Sequence, residues 1–251
     1  MKTEFFKYEG TGNDFIMVDN RLKHFHADRN RIEELCNRRF GIGADGLILL
    51  EEGEGFDFRM VYFNSDGRES TFCGNGGRCV AAFARQLGIV SDKAFFVARD
   101  GPHHASLEGN LIRLKMRDTE LSVKSGNGFV LFTGSPHYCE FTTDVSQLDV
   151  FREGRRIRQS FGEEGINVNF IEKKSGGVMV RTYERGVEDE TLSCGTGVTA
   201  AALLASEFEF ASPVRVETSG GILSVEFSVS GNGFTDVFLS GPARLVFSGI
   251  C

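Results

Sequence analysis

The sequence predicts an α+β protein that is built from two related domains. The first observation is an internal repeat, because a cysteine followed by glycines opens an alanine-rich helix in residues 70–85 and again in residues 191–205. The second is that short strands with alternating apolar residues outnumber the helices and follow one another as hairpins. Hairpin-linked strands favour mainly antiparallel sheets over a doubly wound parallel fold.

Each half of the chain repeats the same order of elements. In the first half the alternating strand and acidic turn FRMVYFNSDGRES precede Cys73, and KAFFVARDG and ASLEGNLIRLKM follow the helix. In the second half GVMVRTYERGVEDE precedes Cys194, and SPVRVETSGG and ILSVEFSVSGNGFTDVFLSG follow the helix. Two long repeats predict two related domains, whereas a solenoid needs at least three short ones.

The domain boundary is expected where apolar periodicity fades, within residues 115–128. We place the two domains at 1–117 and 118–251, and leave open that the last strand packs back on the first domain. A further helix is predicted over residues 27–40, since Ile32, Leu35 and Cys36 share one face and Gly41 stands at the C-cap position.

Composition and charge exclude several classes of function. The 251 residues carry a net charge of -7, which argues against a nucleic-acid partner. No window approaches the roughly 18 apolar residues of a membrane span, so we expect no membrane partner. The first residues form no apolar signal segment, and we therefore expect a cytoplasmic protein with reduced thiols.

Glycine and cysteine patterns for cofactors and metals are weak. The G-x-G-x-x-G match at 41–46 follows a helix and precedes the strand LILL, the reverse of the dinucleotide-binding order, so it predicts a tight turn. The six cysteines contain no C-x-x-C pair, and no metal or cofactor is expected. Those outside the two helix starts, Cys36, Cys79, Cys139 and Cys251, are interpreted as core residues.

The two cysteine-glycine helix starts suit one chemistry. The first turn of a helix offers unpaired N–H groups and partial positive charge to a carboxylate, and glycines let it approach. A cysteine there has its thiolate stabilised, which moves its pKa from about 8.5 toward 7 or below. If the two starts face each other across a pseudo-two-fold cleft, one thiolate removes an α-proton and the opposite thiol returns one to the other face. This arrangement predicts a cofactor-free amino-acid racemase or epimerase.

With these residues in view, the chain resembles the diaminopimelate epimerase family nearly end to end. The motifs that carry the resemblance are, in order, GTGNDF (10–15), NRRFGIGADGL, FNSDG, CGNGGRC, GSPH (134–137), INVNF (166–170), YERGVEDET and SCGTG. The resemblance implies cofactor-free interconversion of LL- and meso-2,6-diaminopimelate in lysine and peptidoglycan biosynthesis. It also implies two pseudo-symmetric domains, each a curled sheet around a central helix, and commonly a homodimer.

The resemblance assigns roles to residues at the matching positions. It implies that Cys73 and Cys194 are the acid–base thiols. Backbone N–H groups would hold the reacting carboxylate at Gly74, Asn75, Gly76, Gly195 and Thr196. Glu184 would lie near the reacting amine, and the other implied binding or positioning residues are Asn13, Asn64, His137, Asn167 and Arg185. Ser135 stands where many members carry Asn, and Gly46 stands where some members carry Gln. These two departures leave the contacts to the distal end of the substrate open.

Four alternatives remain at this point. Proline and hydroxyproline racemases resemble CGHG at the first cysteine, where Asn75 stands here, and their substrate offers no distal charge to Arg185. Isomerases of the phenazine-biosynthesis type usually lack the cysteine pair. A non-catalytic amino-acid-binding protein would have no reason to keep two thiols. A zinc-binding or redox module is the weakest alternative, since the cysteine spacing does not match one.

Overall fold

The fold is described from a computed structural model, for residues 2–251. The chain forms two compact units: the first runs to Leu114 and takes in Gly241–Cys251, and the second is Lys115–Ser240. None of the helices in residues 2–251 is long and apolar enough to cross a membrane.

The elements follow in chain order. Those up to Lys115 are β1 (Glu4–Gly10), β2 (Asn13–Asp19), α1 (Arg29–Cys36), β3 (Gly46–Glu51), β4 (Phe58–Asn64), α2 (Gly74–Gln86), β5 (Lys93–Ala98), β6 (Gly101–Glu108) and β7 (Leu111–Lys115). The rest are β8 (Thr119–Glu120), β9 (Val123–Ser125), β10 (Gly128–Phe132), β11 (Pro136–Phe141), a 3-10 turn (Val145–Gln147), α3 (Val150–Gln159), β12 (Asn167–Lys174), β13 (Gly177–Glu184), β14 (Asp189–Thr191), α4 (Gly195–Ser206), β15 (Val214–Thr218), β16 (Gly221–Ser230), β17 (Gly233–Pro242) and β18 (Arg244–Ile250).

The two units repeat one pattern of strand pairing. From β1 to β7 the successive pairs are antiparallel, parallel, antiparallel, parallel, antiparallel and antiparallel. The series β10, β11, β12, β13, β15, β16 and β17 pairs in the same order. Each parallel pair needs a crossover, and helices supply it: α1 and α2 in the first unit, α3 and α4 in the second. The predicted α+β class with mainly antiparallel pairing, and the repeat behind it, are confirmed.

Each unit buries one helix against several strands. Helix α2 is buried from Gly74 to Ala84 and contacts β1, β2, β3, β4, β6 and β18. Helix α4 is buried over most of its length and contacts β10, β11, β12, β13, β15 and β16. A helix without a broad polar face is stable only in such a core, and the many Gly and Ala side chains allow strands to approach it closely.

Helix α1 is shorter than predicted. It begins after the N-cap Asp28, whose carboxylate accepts the N–H of Arg31 at 3.0 Å, and it ends at Cys36 rather than near residue 40. The C-cap is Asn37, in extended conformation with ψ of 122°, so the prediction of Gly41 at the C-cap is wrong. The side chain of Asn37 accepts the N–H groups of Arg39 and Phe40, which turns the chain out of the helix.

Strand β18 pairs with β1 in the first unit. The pairing is antiparallel and runs from Glu4 opposite Ile250 to Glu9 opposite Arg244. In residues 2–251, the partner strand of β18 is β1. The β18 side chains Leu245, Val246 and Phe247 are exposed. An apolar strand therefore lies at the edge of this sheet.

Candidate active site

The first helix start is formed by Cys73 and the glycines after it. Cys73 is the N-cap of α2 with φ of -118° and ψ of 121°, and its side chain does not cap the helix. The first intrahelical bond runs from the N–H of Gly77 to the carbonyl of Cys73 at 2.7 Å. The N–H groups of residues 74–76 therefore precede the hydrogen-bonded part of the helix, beside the thiol, where an anion is stabilised.

The ends of three neighbouring strands of the first unit lie side by side. Asn13 begins β2, Gly46 begins β3 opposite Phe15, and Asn64 ends β4 opposite Gly46. The side chain of Asn13 reaches the helix start, since its Oδ1 accepts from Cys73 Sγ at 3.6 Å and from Asn75 Nδ2 at 3.4 Å. Asn64 is exposed at the end of β4.

Gly46 is required by a close approach of β3 to β4. A Cβ at this position would lie 2.4 Å from the Phe63 carbonyl oxygen and 2.7 Å from the Tyr62 ring. Such contacts are too short for any side chain unless the backbone of β4 moves. The sequence departure at Gly46 therefore has a packing reason in this chain, and a glutamine there would have to displace the neighbouring strand.

The second helix start has nearly the same backbone conformation as the first. Cys194 is the N-cap of α4 with φ of -113° and ψ of 114°, and the N–H of Val198 bonds to its carbonyl at 2.8 Å. The residue Cys194 is 8% exposed, and its Sγ lies 3.5 Å from Thr196 Oγ1. The N–H groups of residues 195–197 lie beside this second thiol.

A buried histidine orients the hydroxyl next to Cys194. Asn169 Nδ2 donates to His137 Nδ1 at 3.1 Å, so the ring proton lies on Nε2 and is donated to Thr196 Oγ1 at 2.9 Å. The Thr196 hydroxyl proton is then available to Cys194 Sγ. Burial, and next the charge of Arg185, lower the pKa of His137 to about 3. His137 is therefore neutral and works as a fixed donor.

The buried neutral His137 predicts a pH dependence of stability. The unfolded histidine titrates near pH 6.5 and the folded one near 3, so the unfolded chain binds the extra proton between these values. The free energy of unfolding should therefore fall by about 1.4 kcal/mol per pH unit below pH 6.5 because of this group. We expect His137→Gln to lack that component in urea unfolding followed from pH 7 to 4.5. The exposed His104 serves as a control, since His104→Gln should retain the slope. Equal slopes in wild type and His137→Gln would contradict the prediction.

Asn167, Ser135 and Arg185 form a hydrogen-bonded group at one edge of the second sheet. Asn167 Nδ2 donates to Ser135 Oγ at 2.9 Å, and Asn167 Oδ1 accepts the backbone N–H of Arg185 at 2.9 Å. The Arg185 guanidinium donates to Ser135 Oγ at 3.5 Å and to the Glu164 carbonyl at 3.3 Å. No carboxylate of residues 2–251 forms an ion pair with this half-buried guanidinium, so its charge is available to an external anion.

Glu184 is the last residue of β13 and directly precedes Arg185. Its Oε2 accepts the hydroxyl proton of Thr191 at 2.9 Å, which ties the carboxylate to the strand that leads to Cys194. The backbone of Glu184 pairs with Asp189 across the turn. The predicted amine-contacting residue is therefore held between the end of β13 and the start of the segment that carries the thiol.

The repeat places different residues at equivalent positions of the two units. Because His137 pairs with Asn167 as Phe15 pairs with Gly46, the strand registers match. The equivalent positions are Asn13 and Ser135, Gly46 and Asn167, Asn64 and Glu184, Cys73 and Cys194, and Asn75 and Thr196. The backbone of the two half-sites is thus repeated, and among these pairs the charged side chain is Glu184, in the second unit.

Two site residues were missed by the sequence analysis. Asp45 accepts a hydrogen bond from Asn13 Nδ2, and it directly precedes the start of β3. Asn169 lies two residues after Asn167 and so on the same face of β12, which was an available signal. Its Oδ1 accepts the Thr182 hydroxyl at 2.9 Å, and a Cβ at Gly197 would lie 2.4 Å from the same atom. Gly197 is therefore needed for Asn169 to approach α4.

Comparison with known proteins places the chain in a family. The family described as Diaminopimelate epimerase matches residues 5–116 and 129–246. The diaminopimelate epimerase of Flavobacterium psychrophilum is 50% identical over 249 residues, which cover 96% of this chain and 97% of that protein. The protein of the same name from Chlorobaculum tepidum is 43% identical over 254 residues, covering 96% and 98%.

The chain belongs to the diaminopimelate epimerase family.

Solved structures of other families share the fold of this diaminopimelate epimerase family member. A phenazine biosynthesis protein of the PhzF family from Bacillus anthracis superposes with a TM-score of 0.75 at 14% identity, covering 100% and 99% of the two chains. A hydroxyproline epimerase from Agrobacterium vitis, solved with bound trans-4-hydroxy-L-proline, gives 0.71 at 12% identity, covering 99% and 92%. At this identity the likeness to these two structures concerns the fold alone. The resemblance to diaminopimelate epimerases is confirmed by the family match and the relatives given above.

Proposed function

We propose that the chain interconverts LL- and meso-2,6-diaminopimelate by transferring protons between two cysteines and one α-carbon, without a cofactor. The observation that carries the proposal is the pair of cysteine N-caps on buried helices, with nearly equal backbone angles, in two units of the same topology. Family membership at 50% identity supports the substrate.

The proposed proton transfer balances between the two sulfurs. The thiolate of one cysteine takes the α-proton, while the thiol of the other gives its proton to the opposite face of the same carbon. The chemistry leaves the first sulfur as a thiol and the second as a thiolate, which suits the reverse reaction. N–H groups of residues 74–76 and 195–197 would stabilise the negative charge that develops on the carboxylate during transfer.

The second unit supports recognition of both substrate ends. The Glu184 carboxylate would attract the reacting ammonium group. Arg185 would hold the distal carboxylate, because a guanidinium forms two parallel hydrogen bonds with that group. Asn167 fixes the Arg185 backbone through its Oδ1 at 2.9 Å, and Ser135 contacts both side chains. Ser135 would thus act by orienting Asn167 and Arg185.

The test is incubation of the purified protein with LL-diaminopimelate in D₂O without added cofactor, followed by NMR. We expect meso-diaminopimelate to accumulate with deuterium at the inverted α-carbon, because protons on a thiol exchange with solvent. A binding protein would leave the configuration unchanged. A proline-type racemase would show comparable turnover of proline, and either result would overturn the proposal.

We further propose a cytoplasmic homodimer whose contact includes β18. The six cysteines lie within residues 2–251 and form no disulfide there, which suits a reducing compartment. The edge strand β18 exposes Leu245, Val246 and Phe247, and apolar edges are ready sites for pairing with a second copy. Sedimentation equilibrium should give twice the 27.7 kDa of one chain. Phe247→Asp should lower that mass. Phe40→Asp, at an exposed position that is distant from β18 in the sequence, should leave it unchanged. A monomeric wild type would contradict the proposal.

A further inference from the structure

Arg78 is a charged residue inside the core of the first unit. It follows Cys73 by five positions in α2, and its side chain is fully buried. A guanidinium keeps its charge in proteins, and burying a charge costs free energy unless a partner compensates it. No carboxylate of residues 2–251 forms an ion pair with Arg78, so the usual compensation is missing.

The hydrogen bonds of Arg78 are few for such a buried group. Its Nη2 donates to Thr11 Oγ1 at 3.1 Å, and its Nε donates to the Pro242 carbonyl at 3.4 Å. Its Nη1 has no hydrogen-bond partner within residues 2–251. The β1 backbone closes over it, since a Cβ at Gly10 would lie 3.4 Å from Nη2 and 3.3 Å from the Asn75 carbonyl. The guanidinium is thus enclosed directly behind the helix start.

The charged and titratable groups in range of Arg78 are Cys73 and Cys79 on α2 and Glu9 on β1. Glu9 is already paired with Arg244 at 2.6 Å. Burial raises the pKa of Cys79 well above its usual range, so this residue stays a thiol. Asp14 on β2, which lies in range of Cys79, pairs with Lys7 at 2.9 Å and with Arg38 at 2.7 Å. The thiolate form of Cys73 is therefore the anion on which the charge of Arg78 acts.

The second unit carries no such buried charge at the equivalent position. The residue five positions after Cys194 is Thr199, whose hydroxyl donates to the Gly195 carbonyl at 2.9 Å within its own helix. The histidine that reaches Thr196 is neutral. Arg185 is half-buried and exposed to solvent screening, and in the proposed function the distal carboxylate neutralises it. The two thiols therefore lie in unequal electrostatic surroundings.

We propose that Arg78 is a positioning residue whose buried charge holds Cys73 as the thiolate of the resting enzyme, while Cys194 rests as the thiol. The inference rests on the proposed two-thiol reaction. Its direction follows from Coulomb attraction, which is strong where solvent is excluded. The contact of Arg78 with Thr11 adds a second effect, because Thr11 is in the turn that leads to Asn13, which accepts from the Cys73 thiol.

The test measures each thiol separately, by iodoacetamide alkylation from pH 5 to 10 followed by peptide mass spectrometry. In wild type the midpoint of the alkylation profile should be lower for Cys73 than for Cys194; midpoints are compared because exposure alters the absolute rates. In Arg78→Met the Cys73 midpoint should rise by about one pH unit, with alkylation below it slowed roughly tenfold. The Cys194 midpoint should not move.

Two further variants separate charge from folding. Arg78→Lys keeps the charge and should restore most of the wild-type Cys73 midpoint. Arg85→Met removes a cation from the last turn of the same helix and should leave the midpoint unchanged. An unmoved Cys73 midpoint in folded Arg78→Met overturns the inference. If that variant fails to fold by circular dichroism, a wild-type Cys73 midpoint at or above that of Cys194 overturns it instead.

The alkylation result and the turnover result can fail independently. Full turnover in Cys73→Ala would refute the proposed function, whatever the alkylation profiles show. Loss of turnover in Cys73→Ala together with an unmoved midpoint in Arg78→Met would refute only the inference. The acidic limb of the kcat/KM profile in Arg78→Met should shift upward with the Cys73 midpoint, a change that loss of packing alone would not produce.

Discussion

Replacing either Cys73 or Cys194 with alanine is expected to lower epimerisation by at least about a thousandfold, the scale of a lost general acid or base. Either change removes one of the two sulfurs, so a proton that leaves one face cannot be replaced on the other. The fold should persist, because neither cysteine side chain supplies a capping hydrogen bond to its helix. The measurement is turnover of LL-diaminopimelate beside circular dichroism.

Matched controls for the thiol variants come from the same protein. Cys79 lies in α2, and Cys139 lies in β11; both are fully buried, and burial raises the pKa of each thiol. Cys79→Ala and Cys139→Ala should leave a cavity and lower the free energy of unfolding while keeping turnover near that of the wild type. Near-normal turnover in Cys73→Ala or Cys194→Ala would rule out the two-thiol reaction.

The second large effect concerns substrate choice at Arg185. Lysine lacks the distal carboxylate, so its use would leave a half-buried guanidinium without an anion, and we expect at least a hundredfold weaker processing of lysine than of diaminopimelate. Arg185→Lys should lower kcat/KM for diaminopimelate roughly thirtyfold, which corresponds to about 2 kcal/mol. This value is at the lower end of the range for breaking a charged pair, because solvent reaches the side chain. In the Arg185→Lys variant, the single ammonium group also cannot contact Ser135 and the Glu164 carbonyl together as the guanidinium does.

Arg155 provides the control for this charge-conserving change. It lies on α3 in the same unit, is exposed, and should tolerate replacement by lysine without altering kcat or KM. Steady-state rates on LL-diaminopimelate, lysine and proline would decide the assignment. Comparable rates on lysine or proline would refute the proposed substrate even if both thiols proved essential.

The sequence could predict the features of the fold that depend on local pattern. The cysteine-glycine starts and small residues of α2 and α4 indicated two buried helices, and the order of strands around them indicated a repeat. The end of α1 could not be predicted in this way. The helix ends at Asn37, whose side chain accepts N–H groups of the residues that follow, whereas the stronger C-cap signal in the sequence is Gly41. Local patterns therefore predicted the presence of elements better than their ends.

The residue roles that sequence reasoning did not predict depend on contacts between distant segments. Asn169 acts through His137 and α4, and Arg78 acts through Thr11 and Pro242, which is 164 positions away. Gly46 resembled a turn residue, although its requirement comes from the Phe63 carbonyl on the neighbouring strand. Such roles follow from which strands become neighbours, and a single sequence does not state this.

The pairing of β18 with β1 has a consequence for synthesis of the chain on the ribosome. All strands of the second unit precede Arg244, whereas the first unit needs Arg244–Ile250 to cover the edge of β1 and to contact α2. The second unit can therefore complete its sheet while the first, although begun earlier, still lacks a strand. Until Arg244–Ile250 have been synthesised and have paired, the edge of β1 remains open to chaperones and to other nascent chains.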